Sequence, residues 1–477
     1  MRIGQTSLIT FVSRVVASAI GFAGTIYFAR ELGATVLGQY SLVLAIVGWL
    51  AIGGKIGVTS ALRKRLSEGE EQGEFFAAGA ITVGGLFLLV STLVYLFRAP
   101  LTTYVGAEVA GFVVLLLFAT LLNEMAGSVL SGYHLVHVKG LLNPVRMSAR
   151  TLVQVAAVVV GFGLFGMLGG YAAGYVVVGL IGLWIVSPAV EWPSKRHFRS
   201  LKEYAQYSWI GTIHSRAFGW IDIVVLGLFV SSDLVGIYSV SWTIGTFFLA
   251  FGGSVSTAIF PEVSKLSATE GRDRAAPLVH DALAYAGLIV IPGLVGAVLL
   301  GPRILRIYGT EFVRGTAVLG LLVGSCLVES YRQQLTGTLG AIDRPDYTFR
   351  VSALFVVANV VFNLGLVSLF GWVGAAVATL SSASVATVAG YYYLAREIDF
   401  DVPIREIGKQ WVAALAMAGV VYAGLRFEET YRLLSHNFAT VLLLVGLGAG
   451  VYFAVLMVIS TRFRTTVRNN LPVDPLS

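Results

Sequence analysis

Charge is scarce in this chain. Only 12% of its 477 residues are Asp, Glu, Lys or Arg, about half the share of a soluble domain, and no polar stretch is long enough to fold as one. Cysteine occurs once. Cys326 lies inside an apolar run, which excludes a disulfide framework and a cysteine metal site and leaves the expectation of a small packed hydrophobe. No Gly-x-x-x-x-Gly-Lys-Ser/Thr loop occurs either, so nothing in the sequence offers to hold ATP phosphates. Neither a metal nor a cofactor is expected.

What is present is apolar. Hydrophobic residues make up 56% of the chain, mean hydropathy is +0.81, and 55 glycines suit close helix approach in lipid. Runs of about twenty apolar residues, each long enough to cross a bilayer as a helix, recur along almost the whole length. They fall near 8–30, 37–59, 75–97, 109–130, 149–167 and 170–190; then 204–230, 236–258, 279–300, 315–336, 348–369 and 372–394; and finally 411–425 and 438–459. The pattern predicts an all-α polytopic membrane protein of about 14 transmembrane helices. The first run leads straight into the pattern and is expected to remain as a helix, not to be removed as a signal.

The net charge of +7 speaks for orientation more than for nucleic acid. Assigned alternately to the two membrane sides, 22 of the 33 Lys and Arg fall on the side of the N-terminus, 7 on the other side and 4 within spans. The basic connections include Arg63, Lys64 and Arg65; Lys139, Arg146 and Arg150; and Lys195, Arg196, Arg199 and Lys202. Such an excess places both termini in the cytoplasm of a multi-pass plasma-membrane protein.

The beginning and the middle of the chain repeat. Leu37-Gly38-Gln39-Tyr40-Ser41 returns as Val235-Gly236-Ile237-Tyr238-Ser239, and at the same offset Ile46 matches Ile244, Gly54 matches Gly252 and Thr59 matches Thr257. Ser13-Arg14 parallels Ser215-Arg216 after a slip of about one helical turn. Six spans separate the copies, so both run the same way. The predicted organisation is two pseudo-symmetric six-helix lobes, 1–195 and 196–400, with two extra helices and a cytoplasmic tail over 401–477. Repeated lobes are a transporter arrangement, with the substrate path at their interface and alternating access by rocking.

The chain resembles a known family at these residues. Ser13-Arg14-Val15-Val16, then Phe28-Ala29-Arg30-Glu31-Leu32-Gly33 and the stretch 37–41, look like the opening of the polysaccharide-export flippases of the multidrug/oligosaccharidyl-lipid/polysaccharide exporter superfamily. Phe260-Pro261-Glu262-Val263-Ser264-Lys265-Leu266 and Tyr308-Gly309-Thr310-Glu311-Phe312 fit the same pattern. The resemblance implies two lobes around a cavity, a monomer, no enzymatic step, and transfer of a lipid-linked oligosaccharide from the cytoplasmic to the outer leaflet. Expected partners are that substrate, membrane lipids and glycosyltransferases of the same pathway. The alternatives are a cation-coupled multidrug exporter of the same superfamily, which calls for an anionic cavity, and an integral-membrane glycan polymerase or ligase. The second calls for acid/base groups in a large outer loop, and the outer connections here are short.

Ionisable groups inside spans are costly, about 2.5–3.5 kcal/mol each on insertion scales, and face a cavity or a partner. Arg14 and Arg216 are the leading cavity candidates; the other readings are snorkelling for Arg14 and stacking on Trp220 for Arg216. Lys55 lines the cavity or reaches the interface. Asp222 lies six residues from Arg216, about 240° round the helix, so its partner or cavity role involves another helix. In the fourth span Thr120, Asn123, Glu124, Ser128 and Ser131 form one polar stripe at helical period. Glu124 is there a proton- or sodium-linked carboxylate, a partner for Arg14 or a structural group, and Asn123 a lining amide. Glu329 and Arg332, three apart, are expected to neutralise each other. Asn359 and Asn363 are expected to hydrogen-bond between helices in preference to binding sugar. The mechanism these residues suggest is a hydrated, positively charged chamber. Arg14, Arg216 and Lys55 would hold the phosphates of a prenyl-linked glycan while its tail stays in lipid.

Overall fold

The structure, a computed structural model, describes residues 3–208, 210–431 and 436–470, with side chains over 20–206, 218–249, 251–431 and 436–468. Arg14 and Arg216 therefore lie outside the described side chains. Among the described residues all regular structure is helical. The chain divides into two compact units, Met1–Gly236 and Ile237–Ser477.

The first unit contains α1 (Ile3–Lys55), α2 (Val58–Glu68), α3 (Gln72–Leu96), α4 (Arg98–Val105), α5 (Ala110–Gly132), α6 (Val136–Val159), α7 (Gly163–Val186), α8 (Lys195–Ser208) and α9 (Ile210–Phe229). The division falls inside α10 (Ser232–Phe247). The second unit continues with α11 (Leu249–Thr269), α12 (Ala276–Ala286), α13 (Val290–Arg306), α14 (Thr316–Ala341), α15 (Pro345–Leu394), α16 (Ile404–Tyr431), α17 (Asn437–Ile459) and α18 (Thr461–Asn470).

Two of these elements are double. α1 breaks at Gly33 (φ 74°) and α15 at Gly371 (φ 59°), conformations that a residue without Cβ adopts at little cost. The 50 residues of α15 measure about 75 Å, enough for two crossings of a hydrocarbon layer about 30 Å thick. Nine helices among the described residues are long and apolar enough to span, and the pair α10 and α11, bent by 40°, would make a tenth. Apolar side chains such as Leu96, Leu152, Trp184 and Leu369 are exposed along these helices, as a lipid solvent permits.

One expected boundary is wrong. The span placed at 149–167 is instead α6, which starts at Val136 and ends at Val159, with the turn into α7 made by Gly161 and Gly163, both at positive φ. Hydropathy missed the first half of α6 because Lys139, Asn143, Pro144, Arg146 and Arg150 make it read as a polar connection. Those cations sit on a helix of 24 residues, long enough to span but not among the nine that are also apolar enough.

Within the second unit the last two long helices dock on α13. Met417, Val421, Leu444, Tyr452 and Leu456 form a cluster with Leu288, Ile291 and Leu300, and the Tyr452 hydroxyl donates to the Leu288 carbonyl at 2.9 Å.

Candidate functional site

The polar residues of α6 are arranged, not scattered. Lys139, Asn143, Arg146, Arg150 and Gln154 are spaced four, three, four and four residues apart, which confines them to a sector of about 80° at 100° per residue. They form a stripe about 22 Å long. Arg150 stands about 21 Å from the start of the helix.

Glycine positions this stripe against α7. A Cβ on Gly170 would come within 2.6 Å of the Gln154 amide nitrogen, and one on Gly174 within 2.8 Å of the Arg150 amide nitrogen. The close approach brings Tyr171 and Tyr175, stacked with centroids 4.3 Å apart, under the arginines. The Arg150 guanidinium lies 4.5 Å from the Tyr171 ring centre and that of Arg146 lies 4.7 Å from Tyr175. Arg150 also donates to the Tyr40 hydroxyl at 2.8 Å, and Gln154 donates to the same oxygen at 3.0 Å and to the Met167 carbonyl at 2.7 Å. Arg146 donates to Asn143 Oδ1 at 2.6 Å. Nearer the start of α6, Lys139 Nζ donates to Ser131 Oγ of α5 at 3.4 Å.

These partners are neutral. Among the described residues, no carboxylate is ion-paired with Lys139, Arg146 or Arg150. Glu124 is taken instead by Lys55, whose ammonium pairs with Glu124 Oε2 across α1 and α5 with 14% and 23% of the two side chains exposed. Asn123, next to Glu124, is half-buried where α7 brings Gly179 against its backbone.

The second unit repeats this helix pair without the cations. His134 before α6 and Asp343 before α15 both turn at φ 61°, an offset of 209 residues. At that offset Lys139, Arg146, Arg150 and Gln154 correspond to Thr348, Phe355, Asn359 and Asn363. Both asparagines are fully buried; Asn359 Nδ2 donates to Thr379 Oγ1 at 3.3 Å and Asn363 Nδ2 to the Asn359 carbonyl at 2.9 Å. Elsewhere in this unit Arg332 grips Glu329 in a fork, Nε to Oε2 at 2.6 Å and Nη2 to Oε1 at 2.5 Å, with both side chains buried. Asp222, on α9 of the first unit, is 3% exposed. Sequence reasoning passed over Arg146 and Arg150. Their helical spacing with Lys139, Asn143 and Gln154 was the signal that would have found them.

A model of the family described as polysaccharide biosynthesis protein matches residues 3–267. The chain is also 30% identical to the probable flippase AglR of Haloferax volcanii, over 98% of each chain. The chain belongs to the polysaccharide biosynthesis protein family of the MOP exporter superfamily. A second model, lipid II flippase MurJ, matches residues 220–444. The probable low-salt glycan biosynthesis flippase Agl15 of Haloferax volcanii is 29% identical over 88% of this chain and 90% of its own. Among solved structures, lipid II flippase MurJ in an inward closed conformation superposes with a TM-score of 0.80 at 17% identity, covering 97% of this chain and 100% of that one. An inward-facing multidrug resistance MATE transporter gives 0.59 at 16% identity over 80% and 94%. The chain thus has a MurJ-like helical fold.

Proposed function

We propose that this protein is a flippase that moves a lipid-linked oligosaccharide, carried on a prenyl phosphate or diphosphate, from the cytoplasmic to the outer leaflet. The observation that carries the reading is the charge inside the first unit. Lys55, Lys139, Arg146 and Arg150 stand against Glu124 and Asp222 in the first unit, a surplus of positive charge on its helices. An anionic headgroup is the cargo that such an interior suits; a cationic drug is not.

The sequence repeat supports a division into lobes 1–195 and 196–400 that rock about the cargo, with 401–477 outside the repeat. Arg14 and Arg216, at matching places in the repeat, join Lys55 as candidate ligands of the headgroup, and Asp222 and Asn123 as candidate lining. The Glu329–Arg332 fork and the Asn359–Asn363 pair are read as structural. The basic connections outside α6 favour cytoplasmic termini in the plasma membrane. A monomer working beside the glycosyltransferases that assemble its cargo completes the reading, and no bond is made or broken. A potential negative inside favours outward movement of the anion by about 2.3 kcal/mol per charge per 100 mV.

The test is complementation. In a host deleted for its own lipid-linked glycan flippase, expression of the chain should restore glycan accessible to an impermeant probe at the outer face. Intact expression with glycan retained inside would overturn the reading.

A further inference from the structure

We propose that Arg146 and Arg150, one turn apart on α6, bind the phosphate of the carrier lipid. The inference rests on the flippase reading and names the group that its interior takes. A part-buried guanidinium without a counter-ion is expensive. Among the described residues, Arg146 and Arg150 have a phenol, two side-chain amides and two aromatic faces for company. Those groups orient a cation without neutralising it. The Nε of Arg146 is buried and lacks any hydrogen-bond partner, so a donor is left over. A phosphate brings the missing negative charge and the acceptor oxygens that a guanidinium fork matches in pairs.

Packing does not require these arginines. The second unit places Phe355 and Asn359 at the matching positions, and its helix pair is as tightly buried. The cations are therefore an addition to the helix pair, confined to the unit whose stripe begins with Lys139 at one end of α6 and passes Arg146 and Arg150 before ending on the neutral Gln154. A phosphate entering at Lys139 meets a new cation every one or two turns, the last of them Arg150. Tyr171 and Tyr175 hold the empty guanidinium groups in line between cargoes.

The experiment uses the full chain, purified and placed in nanodiscs of uncharged lipid, with binding read by tryptophan fluorescence. The probes are a long-chain polyprenyl phosphate, the corresponding prenol and phosphatidylglycerol. Wild type should bind the prenyl phosphate and not the prenol. Arg146→Gln with Arg150→Gln should weaken that binding by about tenfold or more, and Lys at both positions should recover part of it. Arg150→Asn, the residue the second unit carries at the matching place, keeps the test available if the double variant does not fold. Binding by Arg150→Asn and by the double variant within about twofold of wild type would overturn the inference. Equal competition by phosphatidylglycerol would overturn its assignment to the carrier lipid. Complementation separates this result from the flippase reading. Variants that export like wild type remove only the arginine assignment, whereas a wild-type chain that exports nothing removes the reading beneath it.

Discussion

Gly174 lies against the backbone of Arg150: a Cβ added there would stand 2.8 Å from the Arg150 amide nitrogen and 2.9 Å from the Arg146 carbonyl oxygen. Neither atom can move without shifting α6. Gly174→Ala should therefore push α7 away and lower stability by about 1–3 kcal/mol, the range for overpacking. Gly169 supplies the control on the same helix, since a Cβ there meets nothing within 4 Å. Thermal unfolding in detergent should separate the two, with Gly169→Ala at or above wild type.

Lys55 and Glu124 form the ion pair that joins α1 to α5. Glu124→Gln leaves the ammonium without its carboxylate, and Lys55→Met does the reverse. In a double-mutant cycle the two changes should couple by about 0.5–3 kcal/mol, with the double variant more stable than the sum of the singles predicts. Additivity within error would mean that each group finds solvent or another partner.

The buried fork of Glu329 and Arg332 should behave as a unit. Removing either partner alone strands a charge and should cost about 3–5 kcal/mol. Glu329→Gln combined with Arg332→Met should regain most of that loss and retain glycan export in complementation. A stable double variant that exports nothing would assign the pair to transport.

Glu71, between α2 and α3, holds the start of α8. Ser194 N–H donates to His197 Nδ1 at 2.9 Å, so Nε2 carries the proton and donates to Glu71 Oε2 at 2.9 Å. Arg196 pairs with the other oxygen. The His197 hydrogen bond, aided by the Arg196 charge, holds the Glu71 carboxyl below its ordinary range. A depressed carboxyl stabilises the fold above its unfolded value and loses that contribution as the pH falls through the folded one. Amide exchange protection of α8, corrected for intrinsic rates, should thus decline on acidification below about pH 4.3. Glu71→Gln should show weakened protection already at neutral pH and lack the acid step.

Much of the protein was legible locally. Apolar runs separated by short connections carry the membrane class and the helical fold, because a bilayer demands long apolar helices whatever their neighbours are. The family was legible in stretches such as Leu37-Gly38-Gln39-Tyr40-Ser41. The same hydropathy misled at α6, where three cations and Pro144 lowered the signal of a helix that continues regardless.

Pairing was beyond the sequence. Lys55 and Glu124 are 69 residues apart, and Tyr40 and Arg150 are 110 apart. Nothing in local pattern states that, among the described residues, Lys55 takes the carboxylate while Arg146 and Arg150 go without. Helix identity is written in composition along one segment, since backbone hydrogen bonds close within four residues. Which charges are neutralised depends on which helices lie side by side, and only the packing of α1 on α5, and of α6 on α7 through Gly170 and Gly174, decided that.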